Sequence, residues 1–514
     1  MIEGTRSLSE RLLPGLDSSA KGEEDEGRTN LLAVNQARET RASFRGELPR
    51  SLLDTYDDRD PVAPIKLEEI NFGPKLGSGE FSDVYEIESF SLLHELEDND
   101  KTKDELEKRQ FLQRNQAYRQ TKKARYALKH LKSEYFQEHD SDHYIQAASD
   151  LTLEAEFLAS LNHPHIIKLR GLPFNGTSGF QSGPTGYFLI IDRLLETLTD
   201  RIQCWKKSSI KKSKFSALRQ SITLGGSKTV PSGRALRRSI TLGGSMTAPK
   251  KREPLSSVKR FSAEDVSGPN SSPSSRTQQD ERLDERLGVA LQIAAALKYL
   301  HAHNIIYRDL KPANIGFDVR GDVKIFDFGL ARVMPNDGCP YTDTFMMSGA
   351  GSPRYMSPEC LVLGESSYNM KADIYSFAII LWEMLSASQP YSFVRSRDQL
   401  VRHVVHKNAR PHISEEWPEG IKGMLESSFD EDIQKRPKAA LFCNIIRDEL
   451  KRLRNGDGQG LNDSSLLRSR SQLSLRRLLS PSCQQLMKNY EEKVKDEEDE
   501  INSLLSEAAK SSDS

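Results

Sequence analysis

The chain has 514 residues, with 73 Lys plus Arg against 74 Asp plus Glu and a formal net charge of -1. Its size excludes a disulfide mini-protein, and its charge balance excludes a wholly basic nucleic-acid binder or an acidic solvating chain. Only 36% of residues are hydrophobic and 29% are charged, with a mean hydropathy of -0.60, so segments too polar to fold must dilute an ordinary core. Five scattered cysteines, Cys204, Cys339, Cys360, Cys443 and Cys483, form no C-x-x-C pair. They fit reduced thiols in a reducing compartment, and no zinc site is expected from them.

Residues 1–62 mix Ser, Gly, Glu and Arg without a sustained period and close on Asp57-Asp58-Arg59-Asp60-Pro61, which predicts a disordered arm. The acids Glu3, Glu10 and Glu23 to Glu26, with no apolar h-region, fit neither a secretory signal nor a transit peptide, so cytoplasm or nucleus is the expected location. Order is expected from about Ile65. Ile70 to Ile87 reads as two short strands around a glycine turn, Arg125 to Leu131 as a strand, Leu151 to Leu161 as a helix, and Tyr187 to Ile191 as a buried strand. Residues 92–122 are a charged, helix-permissive insert.

The stretch 206–280 is dominated by Ser, Thr, Gly and Pro and reads as a disordered insert. Within it, Ala217 to Ser227 returns eighteen residues later as Ala235 to Ser245, two copies of a short linear segment rather than a solenoid. Residues 206–260 carry fifteen Lys or Arg and one acid, Glu253. A solvated linker or a dock for phosphates and acidic surfaces would both suit this run. Phe215 is its single aromatic, too few to interleave with the cations, so nucleic acid is not the expected partner. Asp284 to His303 reads as an apolar helix, helices dominate from Ala372 to about Leu450, and residues 453–514 read as a disordered or partly helical tail. Apolar runs such as Phe377 to Trp382 and Val289 to Leu297 fall well short of the roughly 18 residues a membrane span needs.

Four clusters carry chemistry. Gly77-Ser78-Gly79 lies between strands, where a backbone free of side chains approaches a phosphate closely. The next residues, Phe81-Ser82-Asp83-Val84-Tyr85, alternate like a strand, so a nucleotide-covering hairpin fits better than a dinucleotide-binding turn. Lys129 sits inside the apolar strand Tyr126 to Leu131 and must snorkel to water or find an anion. Glu154, on the helix face of Phe157, Leu158 and Leu161, is the candidate partner; solvation of both is the bland alternative. Ile306-Tyr307-Arg308-Asp309-Leu310-Lys311-Pro312-Ala313-Asn314 crowds a carboxylate, cations and a carboxamide into one loop, and Val323-Lys324-Ile325-Phe326-Asp327-Phe328-Gly329 ends a strand on an acid suited to hold Mg²⁺ on phosphates.

Taken together over roughly residues 65–452, this ordered set resembles the eukaryotic-type protein kinase family: Gly-rich loop, strand Lys, helix Glu, catalytic loop, Asp-Phe-Gly, and Ser357-Pro358-Glu359 in the A-P-E position. Without the two inserts that span keeps about 280 residues, within reach of one domain. The resemblance implies an α+β, bilobal fold, with a β-rich N-lobe at 65–194 and a mainly helical C-lobe at 195–452, acting on ATP with Mg²⁺ and on protein substrates. By the same resemblance Lys129 would contact phosphates and pair with Glu154, Asp309 would accept the substrate hydroxyl proton beside Lys311, and Asn314 and Asp327 would hold the metal. The nucleotide would lie against Leu76, Gly77, Ser78, Gly79, Glu80, Phe81, Val84 and Ala127, with Ile191, Asp192 and Leu194 in the connection between lobes and Ile191 as gatekeeper.

Lys311 and Gly351-Ser352-Pro353-Arg354-Tyr355-Met356 look like the serine/threonine branch, with a tyrosine-kinase-like grouping left open, and Leu330 weakly favours serine. Ser352 would bond Asp309 and Lys311, Glu359 would pair with Arg436, and Asp373 would tether the catalytic loop. Arg308 would bind a phosphorylated activation segment, with Tyr341, Thr342, Thr344 and Ser348 as acceptors. Four departures stand out: Tyr307 for the commoner His, Ser82 for the third glycine, Ala378 for a usual Gly, and Gly316 where a large apolar residue usually underlies adenine. The last predicts a looser floor, with Phe317 or a neighbour as candidate filling. A scaffold without catalysis, acting through the basic insert and tail, is the rival expectation.

Overall fold

The computed structural model describes residues 20–49, 52, 62–79, 81–92, 100–117, 124–133, 141–207, 275–335, 343–348, 351–362 and 365–455. The duplicated segment, most of the basic insert and the tail beyond 455 lie outside these residues, as do Glu80, Tyr341 and Thr342.

A six-stranded sheet in the order β1-β5-β6-β4-β3-β2 forms the upper lobe, from β1 (Ala63–Ile65), β2 (Ile70–Ser78), β3 (Ser82–Phe90), β4 (Tyr126–Leu131), β5 (Leu169–Pro173) and β6 (Phe188–Asp192). The central strand β4 reads mostly apolar, Lys129 and His130 apart, because both faces of the sheet are covered. Successive side chains alternate, so Ala127, Leu131, Leu189 and Ile191 join the main core while Tyr126, Leu128, Phe188 and Ile190 join a second core on the opposite side. Helix α1 (Ala20–Glu47) precedes the sheet. Helix α2 (Asp100–Arg114), supplied by the first insert, seals the second core with Leu112 and with an ion pair between Arg109 and Glu69, both fully buried. Helix α3 (Ser141–Ser160) packs on the other face.

Below the sheet the chain turns helical. A short helix α4 (198–207) is followed after the basic insert by α5 (Ser275–Ala302), then α6 (Pro358–Leu361), α7 (Lys371–Ser386), α8 (Arg397–Val401), α9 (Glu419–Ser428) and α10 (Ala439–Asn455). Between α5 and α6 run the short strands β8 (Ile305–Ile306), β9 (Ile315–Phe317), β10 (Val323–Ile325), β11 (Arg332–Val333) and β12 (Phe345–Ser348); β7 (Glu196–Thr197) joins β9, and β12 pairs antiparallel with β13 (Glu365–Tyr368). Helix α7 is buried on nearly every side, which explains its almost unbroken apolar sequence.

Two expectations of disorder are corrected. Residues 20–47 of the supposed arm form α1, whose buried stripe is Ala33, Val34, Ala37 and Phe44, continued by Leu48 and Leu52. Two of these are alanines, and polar residues lie between them, so no strong apolar period marked the helix. Likewise α5 begins at Ser275, inside the stretch assigned to the second insert, because its first turns are polar.

The lower lobe is pinned by Arg436, whose fully buried guanidinium donates to Glu359 through two bonds of 2.7 and 2.8 Å. Burial alone would raise the Glu359 carboxyl, but Arg436 beside it holds it below its ordinary value. Removing one partner of a buried pair strands the other charge. Arg436→Leu is therefore expected to lose about 3 to 5 kcal/mol in urea unfolding; an unchanged midpoint would show the pair to be replaceable.

Candidate active site

The site lies between the lobes. Val84 pairs with Lys129, and Lys129 with Leu189; Ala127 pairs with Ile191. Directly opposed residues of antiparallel strands project to the same side, so Val84, Ala127, Lys129 and Ile191 share the face that looks toward α3 and the lower lobe. Lys129 finds the anion its burial demands: its Nζ is 2.6 Å from Glu154 Oε2 and 3.2 Å from Asp327 Oδ1. Burial would lower the ammonium, yet the carboxylates of Asp327 and Glu154 hold it well above its usual value. The same ammonium holds Asp327 below the carboxylate range. Solvation of Lys129 and Glu154, the bland alternative, is thus excluded.

The glycine loop is braced from one side. Gly79 N–H donates to Ser82 O at 2.8 Å, and Asp83 accepts from Ser78 Oγ at 2.8 Å and from Lys75 Nζ at 2.7 Å. A side chain on Gly77 would meet nothing within 4 Å, so its backbone is open. Leu76 and Phe81, flanking the turn, are exposed. In the connection, the Asp192 carboxylate accepts from Arg170 in a two-pronged bond of 2.8 and 3.0 Å.

Asp373, on α7, organises the loop of Tyr307 to Asn314 from below. It accepts the main-chain N–H of Tyr307 and of Arg308, each at 2.9 Å, while His301 lies 3.0 Å away. With that support the loop holds Arg308 at φ +71°, and Asp327 stands at φ +69°, a region costly for residues other than glycine. Asp309 then gathers Lys311 Nζ at 2.6 Å, Asn314 Nδ2 at 3.0 Å and the backbone N–H of Ser352 at 2.9 Å. The Ser352 contact with Asp309 is thus made by main chain. Tyr307 packs edge-on against Phe328 at 5.1 Å, and its hydroxyl donates to Phe326 O. Arg308 bonds Tyr368 Oη at 3.0 Å and sits beside Leu330 O. The strand β12 starts just after Thr344, whose Oγ1 accepts from Ser367 Oγ at 2.6 Å.

The gap expected at Gly316 is closed. A Cβ there would lie 2.5 Å from Leu194 Cδ1, so the connecting segment itself supplies the missing bulk. Phe317 does not fill it; its ring is buried beneath the Arg201 guanidinium, 3.4 Å away. Sequence reading missed Leu194 in this role because the two residues are more than a hundred positions apart.

A buried carboxyl lies beside the loop that carries Ser352. Tyr355, in the loop that carries Ser352, donates to Glu383 Oε2 at 2.8 Å, and burial pushes the Glu383 carboxyl up to about 7. A raised carboxyl keeps a proton in the folded state that the unfolded chain has released, so stability falls as pH rises from about 4.5 to 7, by about 3 kcal/mol in all. Glu383→Gln should therefore gain more stability over the wild type at pH 8 than at pH 5. Equal gains in urea unfolding at both pH values would refute the assignment.

A two-lobed chain with a glycine-turn hairpin above, an ammonium between two carboxylates in the cleft, and a loop carboxylate below has the fold of a protein kinase. The comparisons agree: residues 274–446 match the family model for the protein kinase domain. That match begins at α5, so kinship of the upper lobe rests on its geometry. A serine/threonine-protein kinase of Arabidopsis thaliana, STY17, is 35% identical over 182 residues, 35% of this chain and 30% of that protein. The dual specificity protein kinase shkB of Dictyostelium discoideum is 39% identical over 178 residues, 34% and 26% of the two chains. The Arabidopsis serine/threonine-protein kinase CTR1 is 35% identical over 180 residues, 34% and 20%. The chain thus spans less than a third of the length of these relatives.

Proposed function

We propose that this protein transfers the γ-phosphoryl group of ATP, with Mg²⁺, to serine and threonine hydroxyls of other proteins, in the cytoplasm or nucleus, through a domain spanning about 65–452. One observation carries the reading: Lys129, Glu154 and Asp327 from three separate elements meet within 3.2 Å. Below them the loop turns Asp309 against Lys311 and Asn314.

The donor set suits a hard cation held on phosphates. Asp327 keeps 42% of its side chain exposed and has one oxygen beyond the one facing Lys129. Asn314 spends its amide nitrogen on Asp309, so its carbonyl oxygen is the ligand it has to offer. Oxygen donors of this kind are what Mg²⁺ takes alongside phosphate and water. Bound there, the metal would neutralise charge on the transferring group.

The chain's own residues do the positioning. Lys129, fixed by Glu154, presents a protonated amine to the nucleotide phosphates. Open backbone at Gly77 lets the hairpin close over them. Asp309, set against the Lys311 ammonium and oriented by the Ser352 N–H, accepts the proton of the incoming hydroxyl. Because the protein makes little covalent contribution to phosphoryl transfer, alignment and charge stabilisation supply most of the acceleration. Lys311 beside Asp309 supports an aliphatic alcohol as acceptor, although the relatives include dual specificity enzymes.

A positional peptide library with Ser, Thr or Tyr as sole acceptor, incubated with the full chain and radiolabelled ATP, tests this reading. Incorporation into Ser and Thr peptides that is lost in Asp309→Ala supports it. Equal labelling by both proteins, or none by either, favours the scaffold; labelling of Tyr peptides as well would make the enzyme dual in specificity.

A further inference from the structure

Helix α1 lies along the whole length of α3 and runs parallel to it. Thr29 Oγ1 is 3.3 Å from Ser141 Oγ near the start, Thr40 Oγ1 is 2.7 Å from Ser149 Oγ in the middle, and Arg41 Nε is 2.9 Å from Glu156 Oε1 near the end. Arg45 approaches the same carboxylate at 3.5 Å, and Glu156 is almost completely buried. On its other flank α1 is tied to the loop before β6, where Arg38 Nη2 donates to Ser178 Oγ at 3.0 Å. The helix is therefore wedged between α3 and the sheet's connecting loop, with Ala33, Val34, Ala37 and Phe44 removed from water.

Two contacts reach toward the site. Residues two apart on an α-helix point about 200° from one another, so Glu154 and Glu156 project from opposite sides of α3. Arg41 and Arg45 draw Glu156 outward and by the same rotation hold Glu154 inward, on Lys129. One residue further along, Phe157 takes the edge of Phe44 at 4.6 Å and lies 6.1 Å from Phe328, the neighbour of Asp327. A continuous row of rings thus links α1 to the residue beside the metal-binding carboxylate.

We propose that α1 is a built-in brace that sets the rotation and depth of α3, and that Phe44, Arg41 and Arg45 are positioning residues for the Lys129, Glu154 and Asp327 constellation. The helix does not touch nucleotide or substrate. It acts through Glu156 and Phe157, and an α3 released from it is free to turn Glu154 off the ammonium. The activity readout rests on the kinase reading above, so the test pairs it with one that does not.

The experiment uses the full-length protein and three variants: Phe44→Ala, its conservative partner Phe44→Leu, and Leu32→Ser on the exposed side of the same helix. Steady-state kcat and KM for ATP are measured beside circular dichroism and hydrogen exchange of 141–160. Misplacing a reacting group by about 1 Å costs up to about a hundredfold, so Phe44→Ala should lose about tenfold to a hundredfold in kcat while remaining folded. Exchange across α3 should rise with it, Phe44→Leu should recover most of the loss, and Leu32→Ser should match the wild type. A folded Phe44→Ala protein with unchanged kcat and unchanged exchange overturns the proposal, as does a loss that only follows the unfolded fraction or is equalled by Leu32→Ser. If the wild type transfers no phosphoryl group, the kinase reading fails, and the exchange data still decide whether α1 holds α3.

Discussion

Asp309→Asn should lower kcat by about a hundredfold to ten-thousandfold, the usual worth of a positioned proton acceptor, with little change in melting temperature. The substitution keeps the size and leaves an oxygen to accept the Ser352 N–H, now 2.9 Å from the carboxylate. What it removes is the negative charge opposite Lys311, 2.6 Å away, and with it the capacity to take a proton from a hydroxyl. Initial rates with radiolabelled ATP check this at saturating nucleotide. A variant within threefold of the wild type would transfer the acceptor role elsewhere.

Lys129→Met acts on the other half of the site. The ammonium is shared by Glu154 and Asp327; without it, Glu154 is a buried carboxylate with no cation. Stranding a buried charge costs about 3 to 5 kcal/mol, and the same energy taken wholly from the transition state is about a thousandfold in rate. Part of that cost can appear as lost stability, so melting temperature and kcat are to be measured on the same preparation. Lys129→Arg should fall between, because a planar fork does not reproduce the compact charge that fits between two carboxylates. A Lys129→Met protein with kcat within tenfold of the wild type would contradict the proposed role.

The sequence disclosed most of the site and less of its surroundings. Gly77, Lys129, Asp309, Asn314 and Asp327 stand in short motifs whose residue types are hard to explain as packing; of these the structure sets Lys129 against Asp327 and Asn314 against Asp309. Glu154 followed from helical period alone. What escaped notice was anything whose partner lies far along the chain and whose own pattern is weak. Helix α1 buries alanines and a single large ring, so its periodicity is faint, and its purpose depends on α3 more than a hundred residues later. The replacement of bulk at Gly316 by Leu194 is likewise a relation between two positions, invisible at either one. Buried pairs such as Arg109 with Glu69 are equally hard to foresee, since an isolated arginine in a charged stretch carries no mark of burial.

The Leu194 arrangement sets how the proposed nucleotide chamber would respond to motion. Its underside is furnished by the strap that joins the two halves, so any swing of one half about that strap moves the shelf along with the hinge. Chamber height and jaw angle are then a single coordinate, and a compound with a thicker ring system would be accommodated by spreading the jaws rather than by denting the base.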